Sequence, residues 1–366
     1  MSRIVEHFPT SAETTPAKNP ESAKVAEYAM FDVLRFLLAS AVMLSHLGVI
    51  PWRNAGNLAV QVFFALSGWL IGSILYRTTA GELSRFYFNR ATRIWIPYYA
   101  TVLALYLVSL LHEPVRSARW LEFLTYDVTF THNLFSLWPD ANLALSEMPL
   151  RGTGNHFWSI AVEEQFYLIA PLLMTLLPFG RKFLPWILIA VIAVLTRSLY
   201  ASISLGVLFA VLANIRGTWH LRSVARIALI ALAGVSAASM MMPQAYDFAA
   251  PAFSVAVVLL CAVPMERNAV TRWVGGVSFP LYLTAWMGAF VLHAVTRHFN
   301  VQEGWYSLPI EYLCSLGGAA IFYQLIDRTV MTNRDRFYTA PFGWALGVAG
   351  YTLVSAGIVY WIVRVQ

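Results

Sequence analysis

The sequence predicts an all-α fold, a polytopic transmembrane helix bundle of ten or eleven spans, on three observations. Of 366 residues, 58% are hydrophobic and only 12% charged, and a mean hydropathy of +0.61 exceeds what a soluble domain tolerates on its surface. The apolar residues gather in runs of roughly 17 to 22, enough to cross a hydrocarbon layer of about 30 Å. The basic residues fall between these runs, and 17 of the 25 lie on one side if the N-terminus is cytoplasmic. That is the pattern of topology control, and it excludes a nucleic-acid surface as the reason for the positive charge.

Residues 1–27, rich in Ser, Thr, Pro, Ala and Glu without an apolar period, predict a disordered cytoplasmic tail and lack the two regions of a cleaved signal. Residues 28–366 form the transmembrane domain. Spans are expected at about 31–50, 57–76, 94–111, 156–177, 183–196, 198–214, 225–242, 248–264, 273–294, 307–327 and 341–363. Arg197 and Ser198 mark either a tight outer turn or a kink in one bent element, which leaves the count at ten or eleven. A long outer loop at 112–155 carries several carboxylates together with Trp120, Tyr126, Phe130, His132 and Trp138. Cys261 and Cys314 sit inside apolar runs and read as packing residues, so no disulfide framework and no metal site is expected. No Walker-type loop supports ATP-driven transport.

Ionisable groups inside spans are costly unless paired or hydrated, so each one is a candidate site. In D-V-L-R-F-L-L-A-S-A-V-M-L-S-H, Arg35 and His46 are eleven residues apart, which places them on one helix face about 16 Å apart along the axis. Asp32, one turn before Arg35, can pair with it. The plainer readings are an interfacial ion pair and an interfacial histidine, while His46 also suits general-base work. In H-F-W-S-I-A-V-E-E-Q-F-Y, the stripe His156, Ser159 and Glu163 shares one face and Glu164 lies about 100° round it. Both carboxylates are expected near the depth of His46, where one of them could orient the imidazole; a buried Glu acting as interhelical glue is the alternative. Arg90 and Arg93, one turn apart among aromatics in R-F-Y-F-N-R-A-T-R-I-W-I-P-Y-Y, fit either a phosphate-bearing ligand or ordinary anchoring at the membrane surface.

Four blocks in order over roughly residues 31–175, namely the first of these, V-F-F-A-L-S-G-W-L-I, F-N-R-A-T-R-I-W-I-P-Y and H-F-W-S-I-A-V-E-E-Q-F-Y-L-I-A-P, resemble the membrane-bound acyltransferase-3 family. A weaker block, V-G-G-V-S-F-P-L-Y-L-T-A-W, carries the resemblance to about residue 290. The family O-acylates glycans such as exopolysaccharides and O-antigen. The resemblance implies His46 as the catalytic histidine of an R-x10-H pair with Arg35, Arg90 and Arg93 as an R-x-x-R motif for the acyl-CoA donor, and Glu163, Glu164, Ser67 and Gly68 as block residues. The late block usually reads Y-L-x-H; here Ala285 stands at that position and His293 follows eight residues later, without taking over its role.

The resemblance therefore implies an integral membrane O-acyltransferase in a bacterial inner membrane, N-terminus cytoplasmic. It moves an acyl group, acetyl in the family's commonest case, from acyl-CoA to a glycan or lipid-linked saccharide. No tightly bound cofactor is expected; membrane lipids and polysaccharide-biosynthesis proteins are the expected partners. The loop aromatics would offer stacking surfaces for sugars, and Glu163 or Glu164 would orient His46 as base, with a covalent acyl-histidine relay as the alternative chemistry. Some relatives append a soluble hydrolase-like domain, which the sequence to residue 366 does not include, so transfer is expected to end on this chain or on a separate partner. A glycan or acyl-group transporter or flippase is the competing class, with prolines 97, 171, 251 and 280 as its hinges.

Overall fold

The computed structural model describes residues 27–113, 119–135, 145–299, 304 and 306–365. The expected tail lies outside them apart from Glu27, as does Trp138. Every regular element among the described residues is a helix, and the one β-type contact is an isolated bridge between Tyr28 and Met265. The first helices are α1 Ala29–His46, α2 Ala55–Arg77, α3 Leu83–His112, α4 Trp120–Val128, α5 His132–Phe135 and α6 Phe157–Pro171. They are followed by α7 Phe183–Leu195, α8 Ala201–Arg216, α9 Ser223–Ser239, α10 Tyr246–Cys261, α11 Ala269–Thr284, α12 Met287–Phe299, α13 Ser307–Phe322, α14 Arg328–Asn333 and α15 Ala340–Val365.

Six helical stretches among the described residues are long and apolar enough to cross a membrane, and α11 with α12, bent by 62° at their junction, can count as a seventh. This is a multi-pass membrane protein. The expected pair at 183–214 is two helices, α7 and α8, with Arg197 in the turn between them at φ 53°. At 13 and 16 residues they fall short of a full hydrocarbon crossing, as does α9 at 17, so length alone does not reach ten or eleven spans.

Helix α2 lies at the centre, packed on α1, α6, α8 and α10. Its sequence explains the position: Val62, Phe64, Leu66, Trp69 and Ile71 are buried on different faces, and a helix apolar all round belongs inside. Helix α15 packs on α3 at the periphery and leaves Phe342, Trp344, Val348 and Val359 exposed, as a lipid-facing helix does. Between α2 and α8 the backbones touch. A Cβ on Gly68 would overlap the Ile203 carbonyl, and one on Gly206 the Ala65 carbonyl, so small residues let the two helices approach as closely as packing in lipid favours.

The junction of α11 and α12 frees backbone groups that a continuous helix would satisfy. One side chain takes up two of them: Ser315 Oγ on α13 donates to the Ala285 carbonyl at 2.7 Å and accepts from Gly288 N–H at 3.0 Å. The position where the family's late block carries histidine is thus the hinge of a bent helix.

The outer loop differs from its expected form. Tyr126, Phe130 and His132 are fully buried, and Trp120 packs its ring edge-on to Tyr106 at 4.9 Å. They are packed against the core and are not sugar-stacking surfaces, because the segment folds back against α3, α6 and α15.

A methyl group at Gly206 has nowhere to go without separating two backbones. Gly206→Ala is expected to lower the thermal unfolding midpoint of the detergent-solubilised protein by several degrees, whereas Gly234→Ala, with open space around its Cβ, should leave it unchanged or raise it.

Candidate active site

A cavity lies among α1, α2, α3, α6 and α11, with about 850 Å³ of empty space including the open solvent at its mouth. Its lining follows α2 from Val60 to Ile71, about 16 Å at the helical rise. Arg35, Arg90 and Arg93 stand toward one end and Ser159 and Tyr282 toward the other, with Ser67, Glu163 and Tyr167 between and an apolar wall of Phe63, Phe64, Leu66 and Leu70. The structure therefore brings six of the sequence candidates, Arg35, Arg90, Arg93, Ser67, Ser159 and Glu163, into one cavity.

Glu163 is held from two sides. Ser67 Oγ donates to its Oε1 at 2.7 Å and the Tyr167 hydroxyl to its Oε2 at 3.0 Å, and Arg35 and Arg90 lie within electrostatic reach. Arg90 is flanked by the rings of Phe86 and Tyr167, each 5.9 Å from its guanidinium, and its Nε is buried with no hydrogen-bond partner among the described residues. Glu164 faces elsewhere: its Oε1 accepts from Trp95 Nε1 at 2.8 Å, which joins α6 to α3.

The expected His46–carboxylate pair does not form. His46 is the last residue of α1, exposed, and its Nδ1 lies 2.8 Å from the Val42 carbonyl, a side-chain contact typical of a last helical turn. A carbonyl only accepts, so Nδ1 carries the proton and Nε2 is the basic nitrogen of the neutral ring. His156, just before α6, is within electrostatic reach of it. Glu163 is seven residues further along α6, about 10 Å deeper, level with the arginines.

Asp32 does meet Arg35, at 3.4 Å, but its principal partner is Arg267, whose Nε and Nη2 reach its two oxygens at 2.5 and 2.6 Å. Gly275 on α11 lets the buried carboxylate lie against its Cα. At the cavity's other end Ser159 Oγ and Tyr282 OH are 2.5 Å apart, Tyr282 also donates to the His156 carbonyl at 3.2 Å, and the His156 ring stands edge-on to Tyr282 at 5.3 Å.

A second polar centre, which sequence reasoning missed, ties the returning loop to the bundle. Buried Asp127 accepts from Tyr106 OH at 2.7 Å and His132 Nδ1 at 2.6 Å, while its carbonyl accepts from Tyr98 OH at 2.9 Å. Gln165, next to the two glutamates, donates to the Phe130 carbonyl and the Asn133 side chain, each at 2.8 Å. Gln165, an amide inside an expected span directly after two glutamates, was a signal the sequence carried.

A family model described as an acyltransferase domain, that of the acyltransferase-3 family, matches residues 28–328. The chain belongs to the acyltransferase-3 family. This acyltransferase-3 chain is similar to the O-acetyltransferase OatA of Staphylococcus aureus strains NCTC 8325 / PS 47 and COL, at 30% identity over 153 residues, 40% of this chain and 24% of the relative in each case. It spans about a quarter of the length of the curated relatives it matches. No solved structure matches it.

Removing the Asp127 carboxylate strands the Tyr106 hydroxyl and His132 Nδ1, at about 1–3 kcal/mol for each buried group left unsatisfied. Asp127→Ala is expected to reduce stability accordingly, read as a lower unfolding midpoint in detergent.

Proposed function

We propose that the chain is an integral membrane O-acyltransferase that takes an acyl group, acetyl in the first instance, from cytoplasmic acyl-CoA and places it on a hydroxyl of a glycan or lipid-linked saccharide. The observation that carries the reading is a cavity with three arginines toward one end and a lining that follows α2 for about 16 Å. Cationic forks suit phosphates, and a polar-and-apolar lining of that length suits a pantetheine arm. Family membership and the names of the OatA relatives support O-acetyl transfer. The same reading places the chain in a bacterial inner membrane with its N-terminus cytoplasmic and counts the shorter apolar helices as further crossings, ten or eleven in all.

In this mechanism the nucleotide phosphates rest on Arg90 and Arg93, with Arg35 behind them. Glu163 offsets part of their charge and, through Ser67 and Tyr167, keeps the lining polar midway. The thioester passes the Ser159–Tyr282 contact to reach His46. Nε2 of His46 takes the acceptor hydroxyl's proton, the oxygen attacks the thioester carbonyl, the C–S bond breaks, and the leaving thiolate takes the proton back from the imidazolium. The Val42 carbonyl holds the ring in the required tautomer, so the glutamates are not needed for that task.

A general base typically supplies about 10²- to 10⁴-fold. His46→Ala is expected to lose that much transfer of label from radiolabelled acetyl-CoA while inserting normally, and full activity in the variant would overturn the assignment. Arg90→Ala should raise the KM for acyl-CoA with kcat little changed; an unchanged KM would leave Arg90 as a membrane anchor.

The 62° bend between α11 and α12 is the one observation favouring a transporter, whose spans are commonly broken. Purified protein that binds acetyl-CoA but neither hydrolyses it nor transfers its acyl group, alone or with glycan acceptors, would favour that reading.

A further inference from the structure

Beyond the R-x-x-R pair, one more arginine stands next to the arginine end of the cavity, outside its lining but within electrostatic reach of Arg90. Arg334 follows α14 and lies beyond residues 28–328 that the family model matches. It reaches back to α3, where its Nη1 donates to the Asn89 carbonyl at 3.4 Å, directly beside Arg90. Its Nε is buried with no hydrogen-bond partner among the described residues, 4.0 Å from Asp335, and a fifth of the side chain is exposed.

The neighbouring charges leave it incompletely matched. Arg85 is occupied, 2.5 Å from Asp335 and stacked over the Tyr338 ring at 4.3 Å. Asp327 lies within electrostatic reach of both Arg93 and Arg334 and cannot neutralise both. Burial, opposed by Asp335 and Asp327 and reinforced by Arg93 and Arg85, holds the Arg334 guanidinium below its ordinary pKa. An arginine nonetheless stays protonated, so the cluster of Arg90, Arg93 and Arg334 keeps an excess of positive charge that an anion would relieve.

Resting on the donor reading above, we propose that Arg334 is a third phosphate-binding arginine that takes the ribose 3′-phosphate of the acyl-CoA donor. The direction follows from the ligand's own connectivity. The pantetheine arm leaves the diphosphate toward the thioester, and the cavity leads away from Arg90 and Arg93 toward Ser159. The ribose monophosphate must then lie on the opposite side of that pair, where Arg334 meets Asn89. A guanidinium with an unspent N–H there gives charge-assisted contact to a phosphate.

The test is binding of CoA and of 3′-dephospho-CoA to the purified full-length chain in lipid nanodiscs. The unmodified protein is expected to prefer CoA about tenfold to a hundredfold, the value of one charge-assisted contact. Arg334→Ala should weaken CoA binding by that factor and leave 3′-dephospho-CoA unchanged, so that the preference disappears, and Arg334→Lys should restore part of it. An unmodified protein that binds both nucleotides equally overturns the proposal without any variant. Equal weakening of both nucleotides in Arg334→Ala makes the residue structural and overturns it too. Loss of both nucleotides in Arg90→Ala with neither affected in Arg334→Ala sinks only the Arg334 assignment. If the unmodified protein binds neither nucleotide, the donor reading itself falls.

Discussion

Two consecutive carboxylates on one helix take their hydrogen bonds from different neighbours. Glu163 and Glu164 leave α6 about 100° apart, and each would be too costly in an apolar bundle without its own donors. Glu163 finds Ser67 on α2 and Tyr167 one turn on, and Glu164 finds Trp95 on α3. These hydrogen bonds tie α6 to α2 and α3 beside the cavity. The next residue, Gln165, continues the arrangement by gripping the returning loop through the Phe130 carbonyl and Asn133. Three successive polar residues thus tie one helix to three different neighbours.

A second ionic joint fixes the arginine end. Asp32 is bound by Arg267 through both oxygens and approached by Arg35, and Gly275 supplies the room. Replacing one partner of such a buried pair costs more than the pair contributes, because the remaining charge is then unmatched. With Arg267 as the main counter-ion of Asp32, Arg35 is free to line the cavity while staying only loosely tethered. Helices α1 and α11, far apart in sequence, are thereby set side by side.

Much of this was readable from spacing. Apolar runs located the helices, polar residues in or beside the spans marked Arg35, Arg90, Arg93, Ser159 and Glu163, and the family resemblance added Ser67; the fold gathers all six around one cavity. Tyr167, four residues after Glu163, was also open to inference from helical periodicity. What spacing could not supply is the relative height of different helices. Counting inward from estimated span ends set Glu163 level with His46, whereas His156, just before α6, is within electrostatic reach of His46 and Glu163 lies further along the helix. Partners distant in the chain, such as Arg267 for Asp32 and Tyr282 for Ser159, leave no local pattern at all. The loop misled for a related reason. Its aromatics look like a binding surface until the buried Asp127 network shows that the segment is part of the core.

The contact between His46 Nδ1 and the Val42 carbonyl bears on which intermediates the ring can carry. An acyl group on Nε2 of that tautomer would leave both nitrogens substituted and the imidazole cationic, an N-acylimidazolium instead of the neutral N-acylimidazole. Shedding the Nδ1 proton to reach the neutral form would forfeit the hydrogen bond, since the carbonyl accepts and never donates. Such a cation is too strong an acyl donor to be a resting store. A single main-chain oxygen at the end of α1 therefore weighs against a long-lived acyl-enzyme and for an acyl group that moves on in the encounter that releases it.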